Sequence, residues 1–78
     1  MPSSSLVTDP VAMTQARLDA KLRRELVAVE VGISHSSVVG YERGLSDPSL
    51  KVLVALAKLY VCTVDDLLCK DEVPAGAA

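Results

Sequence analysis

The segment Val31–Gly44, which reads VGISHSSVVGYERG, constrains the fold of this 78-residue chain more than any other part of it. Gly32 can adopt, at no steric cost, the left-handed backbone conformation that ends a helix. Ser34 can accept a hydrogen bond from the first turn of a following helix, and Ile33 can be buried beneath the corner. The segment therefore predicts two short helices joined by a tight turn.

The spacing of apolar residues and the capping residues predict an all-α chain of five helices. Asp9-Pro10 begins the first, because an acidic N-cap followed by proline is a typical helix start. The helices are expected over about 10–21, 23–31, 34–42, 49–60 and 63–68, with Asp47 or Ser49 as the cap of the fourth. One uninterrupted helix also fits the first two segments, although a break near residues 21–22 is preferred.

A chain of this length holds one domain, and its limited core makes oligomerisation an expectation. We predict a flexible arm over residues 1–9, a folded domain over 10–69 and a flexible tail over 70–78. Cys62 and Cys69 have no metal-ligand spacing around them and are expected to be reduced thiols in a cytoplasm. No apolar run has the length of a membrane span, so no membrane partner is expected.

Composition narrows the classes of function. The chain has two tyrosines and no other aromatic residue, which argues against a stacking surface for single-stranded nucleic acid. Its net charge of −2 is unusual for a nucleic-acid-binding protein, yet five of the eight Lys and Arg residues lie between residues 17 and 43. A nucleophile–base pair, a metal cluster and a phosphate-binding glycine loop are all absent, so neither an enzyme, a metal site nor a cofactor is predicted.

The segment from Leu22 to Gly44 resembles the helix-turn-helix of the Cro/lambda-repressor-like family, also called the Xre family. A short glycine-containing turn between two helices has that geometry. The matching positions are Ala28, Gly32, Ile33, Ser34, Val38, Glu42 and Gly44. DPSLKVLVALAKLY and TVDDLL are similar to the family's fourth and fifth helices. The resemblance covers about residues 11–68 and implies a compact five-helix lambda-repressor-like domain.

The resemblance also implies a function. The expected activity is that of a transcriptional regulator that binds double-stranded DNA sequence-specifically, usually as a homodimer on a two-fold site. Repression by occupying an operator is the expected mode, and RNA polymerase is a further candidate partner. The family-like dimer surface lies around residues 61–68, and the implied location is the cytoplasm, at the nucleoid. No cofactor is implied.

Carried over by position, the resemblance places the start of the third helix in the DNA major groove. His35 and Ser36 would face base edges, and Ser37 would lie nearer the backbone. The residues expected to bind DNA are Arg23, Arg24, Ser34, His35, Ser36, Ser37, Val39, Gly40, Arg43 and Lys51. Arg17 and Glu42 match a pair that forms a structural salt bridge between the family's first and third helices.

Two further positions on the third helix leave a second function open. Val39 and Gly40 are expected on its outward face, where Gly40 removes a side chain that often makes a contact. The missing side chain and the acidic net charge both support a second reading, in which the same fold serves as a protein-interaction module that binds a regulatory protein rather than DNA. Arg24, which stands near a phosphate where the family usually has glutamine, and Arg43 favour DNA.

The chain departs from the family's pattern at two corners. The turn before the second helix lacks the usual glycine, and Val61 stands where glycine often ends the fourth helix. We expect the corner at Val61 to be strained or rebuilt.

Overall fold

Four α-helices and one short 3-10 helix make up the fold of residues 7–69, the part of the chain that the computed structural model describes. In chain order the elements are α1 (Pro10–Asp19), α2 (Arg24–Val31), α3 (His35–Glu42), α4 (Leu50–Leu59) and the 3-10 helix (Asp65–Leu67). The predicted all-α class is confirmed for these residues. The rest of the predicted arm and tail lies outside the described residues.

The prediction of a fifth α-helix is wrong, because the chain makes only a single 3-10 turn there. Thr63 and Asp66 cap each other, with each backbone N–H donating to the other's side chain at 3.1 and 3.2 Å. The backbone then turns extended at Leu68, which forms an isolated antiparallel bridge with Thr8. Backbone groups that a longer helix would have used for its own hydrogen bonds are therefore bonded to the N-terminal segment instead.

Residues 7–9, which the sequence assigns to a flexible arm, are bonded to the folded body. The Asp9 N–H donates to the Leu67 carbonyl at 2.9 Å, and the Cys69 N–H donates to the Val7 carbonyl at 2.8 Å. The buried Thr8 donates its hydroxyl to Asp47 Oδ1 at 2.8 Å. The ordered unit therefore begins before α1.

Helix α1 begins as its sequence predicts. The Asp9 carboxylate accepts hydrogen bonds from the N–H groups of Val11 and Ala12 at 3.0 and 3.3 Å, and Pro10 occupies the first turn. The helix ends at Asp19, and α2 begins at Arg24. The preferred break near residues 21–22 is therefore confirmed, and a single helix through this region is excluded.

The corner between α2 and α3 has the predicted form. Gly32 ends α2 with φ of 82° and ψ of 35°, a left-handed conformation that suits glycine. Ser34 caps α3 and accepts a hydrogen bond from the Ser37 N–H at 3.0 Å. Ile33, between them, packs against the core, which fixes the direction in which α3 leaves the turn.

The core draws side chains from every helix. Its fully buried apolar members are Met13, Val27, Ala28, Val38, Leu53, Leu56, Ala57, Tyr60 and Leu67. They are mostly aliphatic, as the composition requires, and those from the other helices pack together with Val38 on the inner face of α3. None of the helices within residues 7–69 combines the length and the apolar character that crossing a membrane requires.

The two corners without the family's glycine are both left-handed. Lys21 has φ of 60°, and Val61 has φ of 57°. For residues with a Cβ this conformation costs roughly 1–2 kcal/mol, and a β-branched side chain is the least suited to it. Val61 gains little in return from burial, because 87% of it is exposed. The expectation of a strained corner at Val61 is confirmed, and Lys21 shows the same conformation at a corner where no strain was expected.

Val61→Gly is expected to raise the free energy of unfolding by about 0.5–1 kcal/mol. The gain is the strain that glycine removes, less the backbone entropy that glycine adds to the unfolded chain. The measurement is urea denaturation followed by circular dichroism. Val29→Gly is the matched control, since Val29 is also largely exposed but lies inside α2, where replacing valine by glycine should destabilise by about 0.3–0.5 kcal/mol. A Val61→Gly variant that is less stable than the parent would contradict the strain.

Candidate nucleic-acid interface

The start of α3 is exposed to solvent. Ser34, His35 and Ser36 are exposed, while Val38, one turn further on, is fully buried in the core. The helix is therefore anchored at its middle and free at its first turn. Its N-terminal amides carry a partial positive charge, which favours phosphates and base acceptors.

Two of the serines at this end are bonded to each other. The Ser34 and Ser37 hydroxyls lie 2.9 Å apart, and Ser34 Oγ also accepts from the Ser37 N–H. Both side chains thus stabilise the N-terminal cap of α3, so part of the hydrogen-bonding capacity of their hydroxyls is already used within the protein. Ser36 is exposed and projects from the first turn of α3. Because its side chain is small and polar, the helix backbone can come close to a ligand at this position.

Glu25, which the sequence analysis did not consider, lies beside His35. The distance from Glu25 Oε2 to His35 Nε2 is 3.9 Å, and both side chains are exposed. The contact joins the first turn of α2 to the first turn of α3. No local sequence signal indicates it, because it depends on how the two helices cross.

The ion pair predicted between Arg17 and Glu42 is present and buried. Arg17 Nε donates to Glu42 Oε2 at 2.7 Å, and Arg17 Nη2 donates to Oε1 at 3.3 Å. Arg17 Nη1 donates to the Leu22 carbonyl at 2.9 Å, which ties α1 to the turn before α2. The pKa of the Tyr60 hydroxyl is raised to about 12, by its burial above all and also by the charge of Glu42, while Arg17 opposes the shift.

A second arginine joins this pair. Arg24 Nε donates to Glu42 Oε1 at 2.9 Å, and 44% of the Arg24 side chain is exposed compared with 4% of the Glu42 side chain. The first turn of α2 therefore reaches both ends of α3, since Glu25 meets His35 and Arg24 meets Glu42. We call Arg17, Glu42 and Arg24 the arginine–glutamate triad.

The expected position of Gly40 is wrong. Gly40 is buried rather than outward-facing, and a Cβ built on it would lie only 3.1 Å from Ser46 Oγ. Its carbonyl also accepts the Leu45 N–H at 2.9 Å. The glycine leaves room for the loop after α3 to fold back on the helix, and it does not form part of the exposed face.

The remaining candidates lie at helix ends or on the helix surface. Arg23 is the N-cap residue of α2, Arg43 is the C-cap residue of α3, and Lys51 lies in the first turn of α4. All three are exposed, whereas Val39 is half-buried. The ends of α2, α3 and α4 thus carry exposed cations, and the start of α3 carries small hydroxyl groups; both kinds of group suit a polyanion.

Comparison with known proteins gives consistent matches. Residues 13–67 match the family model described as helix-turn-helix. The chain is 43% identical over 56 residues to the HTH-type transcriptional regulator YobD of Bacillus subtilis (strain 168), a match that covers 72% of this chain and 50% of that protein. It is 35% identical over 60 residues to the HTH-type transcriptional regulator AnsR of the same strain, covering 77% and 52% respectively. The chain spans about half the length of these two relatives.

A solved structure has the same fold. The structure is similar to that of the P22 c2 repressor protein in complex with synthetic operator 9T, with a TM-score of 0.73 and 29% sequence identity. The similarity covers 80% of this chain and 94% of that one.

Proposed function

Because the chain belongs to the Cro/lambda-repressor-like helix-turn-helix family, we propose that it is a transcriptional regulator that binds double-stranded DNA through the start of α3. The observation that carries the proposal is the arrangement of that helix: Val38 holds its middle in the core, while His35 and Ser36 project from its free end. A helix held in this way can insert its first turn into a major groove. The relatives, which are named as transcriptional regulators, support the same activity and not an enzymatic one.

Different residues read the sequence and position the protein. His35 can donate to a guanine acceptor and Ser36 can donate or accept, so they supply direct readout. Arg23, Arg24 and Arg43 supply phosphate contacts, which carry affinity but no sequence information. Because the net charge is −2, non-specific binding should be weak and should be lost quickly as salt rises.

We infer that the protein acts as a homodimer on a two-fold operator and represses by occupying it. A domain this small presents one short recognition helix, and pairing two copies doubles the number of bases read. The surface around residues 61–68 is the proposed place for the second copy, and the large exposure of Val61 supports it. Contact with RNA polymerase is the route by which the same bound dimer would activate instead.

The rival function, a protein-interaction module, loses one of its two supports. The missing side chain at Gly40 suggested an outward surface shaped for another protein. Gly40 is instead buried against the loop at Ser46, so its lack of a side chain is explained by packing. The acidic net charge remains as the other support, and a binding experiment separates the two functions.

The decisive experiment selects duplexes from a random DNA pool at low salt and then measures affinity as salt rises. We expect a two-fold motif and a slope of several released counterions. His35→Ala should alter the preference at one or two positions of each half-site and leave the others unchanged. Leu18→Ala is the control, since Leu18 is exposed on α1, away from the start of α3, and it should select the same motif as the parent. Failure of the folded protein to enrich any duplex would overturn the proposal.

A further inference from the structure

We propose that Glu42 is a positioning residue for DNA binding. By bonding to Arg24, Glu42 holds the Arg24 guanidinium, before DNA binds, in an orientation that can contact a phosphate. The inference rests on the proposed function, and it identifies the residue that orients the arginine proposed to contact a phosphate. Glu42 Oε1 accepts from Arg24 Nε at 2.9 Å, so one edge of the guanidinium is fixed to the protein. The exposed part of the same side chain leaves terminal amino groups able to reach a ligand.

The net positive charge of the triad is exposed to solvent at Arg24. Arg17 is buried, and its guanidinium donates hydrogen bonds to Glu42 and to the Leu22 carbonyl. One carboxylate between two guanidinium groups leaves a net charge of +1 for the three residues. Because Arg17 and Glu42 are shielded by burial, that charge is available to solvent only at Arg24, at the first turn of α2.

Holding Arg24 has a consequence for binding. A long exposed side chain loses rotamer freedom when it clamps a phosphate, and that loss weakens the complex. A guanidinium already bonded through Nε has lost part of that freedom on folding. The planar arrangement of donors also matters: arginine can face Glu42 with one edge and a phosphate with another, whereas a lysine ammonium has a single charged point. The triad thus predicts that Arg24 cannot be replaced by lysine without loss.

The test compares Arg24→Lys with Arg24→Ala in the full chain, with a duplex selected by the parent as the probe. Since the positioning of one side chain is at stake, Arg24→Lys should weaken binding by roughly three- to tenfold while the salt slope stays unchanged. Arg24→Ala should weaken binding further and reduce the salt slope by about one. Lys58→Arg is the matched control, because Lys58 is exposed in the last turn of α4 and lies outside both the triad and the proposed DNA contacts, and its affinity should stay within about twofold of the parent's.

A double-mutant cycle locates the effect at Glu42. Glu42→Gln should weaken binding in the parent but have no further effect in the Arg24→Lys background, once affinities are corrected for the folded fraction measured by circular dichroism. If Glu42→Gln does not fold, the Arg24→Lys result decides alone. An Arg24→Lys affinity within twofold of the parent's would overturn the inference and leave the proposed function standing. Absence of any binding by the folded parent would instead overturn the proposed function.

Discussion

Replacing Arg17 by alanine is expected to lower the free energy of unfolding by about 3–5 kcal/mol, the usual cost of removing one partner of a buried ion pair. Arg17 makes two bonds to Glu42 and one to the Leu22 carbonyl. Its loss leaves a nearly buried carboxylate with only Arg24, and a carbonyl without its donor. A domain of this size has a total stability of about the same amount, so the variant should be largely unfolded at 37 °C.

The measurement is thermal and urea denaturation monitored by circular dichroism at neutral pH. Arg43→Ala is the matched control, because it removes the same side chain from an exposed site and should change the stability by less than about 0.5 kcal/mol. A loss below about 1 kcal/mol for Arg17→Ala would show that the pair contributes no more than a surface salt bridge does.

Local signals in the sequence account for the helix boundaries. Asp9-Pro10 and Gly32 each act through bonds to residues within four positions, so the sequence alone could place the start of α1 and the end of α2. Ser49, one of the two caps considered for α4, is the one that the structure uses. The left-handed corner at Val61 was also foreseeable, from the glycine missing there. The Arg17–Glu42 pair links residues 25 positions apart, and it came from the resemblance to a family.

The remaining features depend on how elements cross, which no local pattern encodes. Arg24 meets Glu42 because the first turn of α2 lies across α3. Gly40 is buried because the loop after α3 folds back on it. The fifth helix is lost because Leu68 pairs with a segment 60 positions earlier, at Thr8. In each case a long-range contact overrides what the neighbouring residues favour.

The proposed DNA face makes its sharpest prediction at Ser36. Ser36→Glu should weaken duplex binding by roughly a hundredfold or more, because it places a carboxylate at the groove, where a like charge costs several kcal/mol. The folded state should not suffer, since an acidic residue in the first turn of a helix interacts favourably with the helix dipole. Ser36 is exposed, so the larger side chain has room.

The same position supplies its own control. Ser36→Lys has a comparable size and the opposite charge, and it should keep or increase the affinity for non-cognate duplexes while steepening the salt dependence by about one counterion. Electrophoretic mobility shifts or fluorescence anisotropy, measured at several salt concentrations, would give both quantities for each variant. Equal affinities for the glutamate and lysine variants would mean that the start of α3 does not face the phosphates, and the docking geometry would have to move to another surface of the domain.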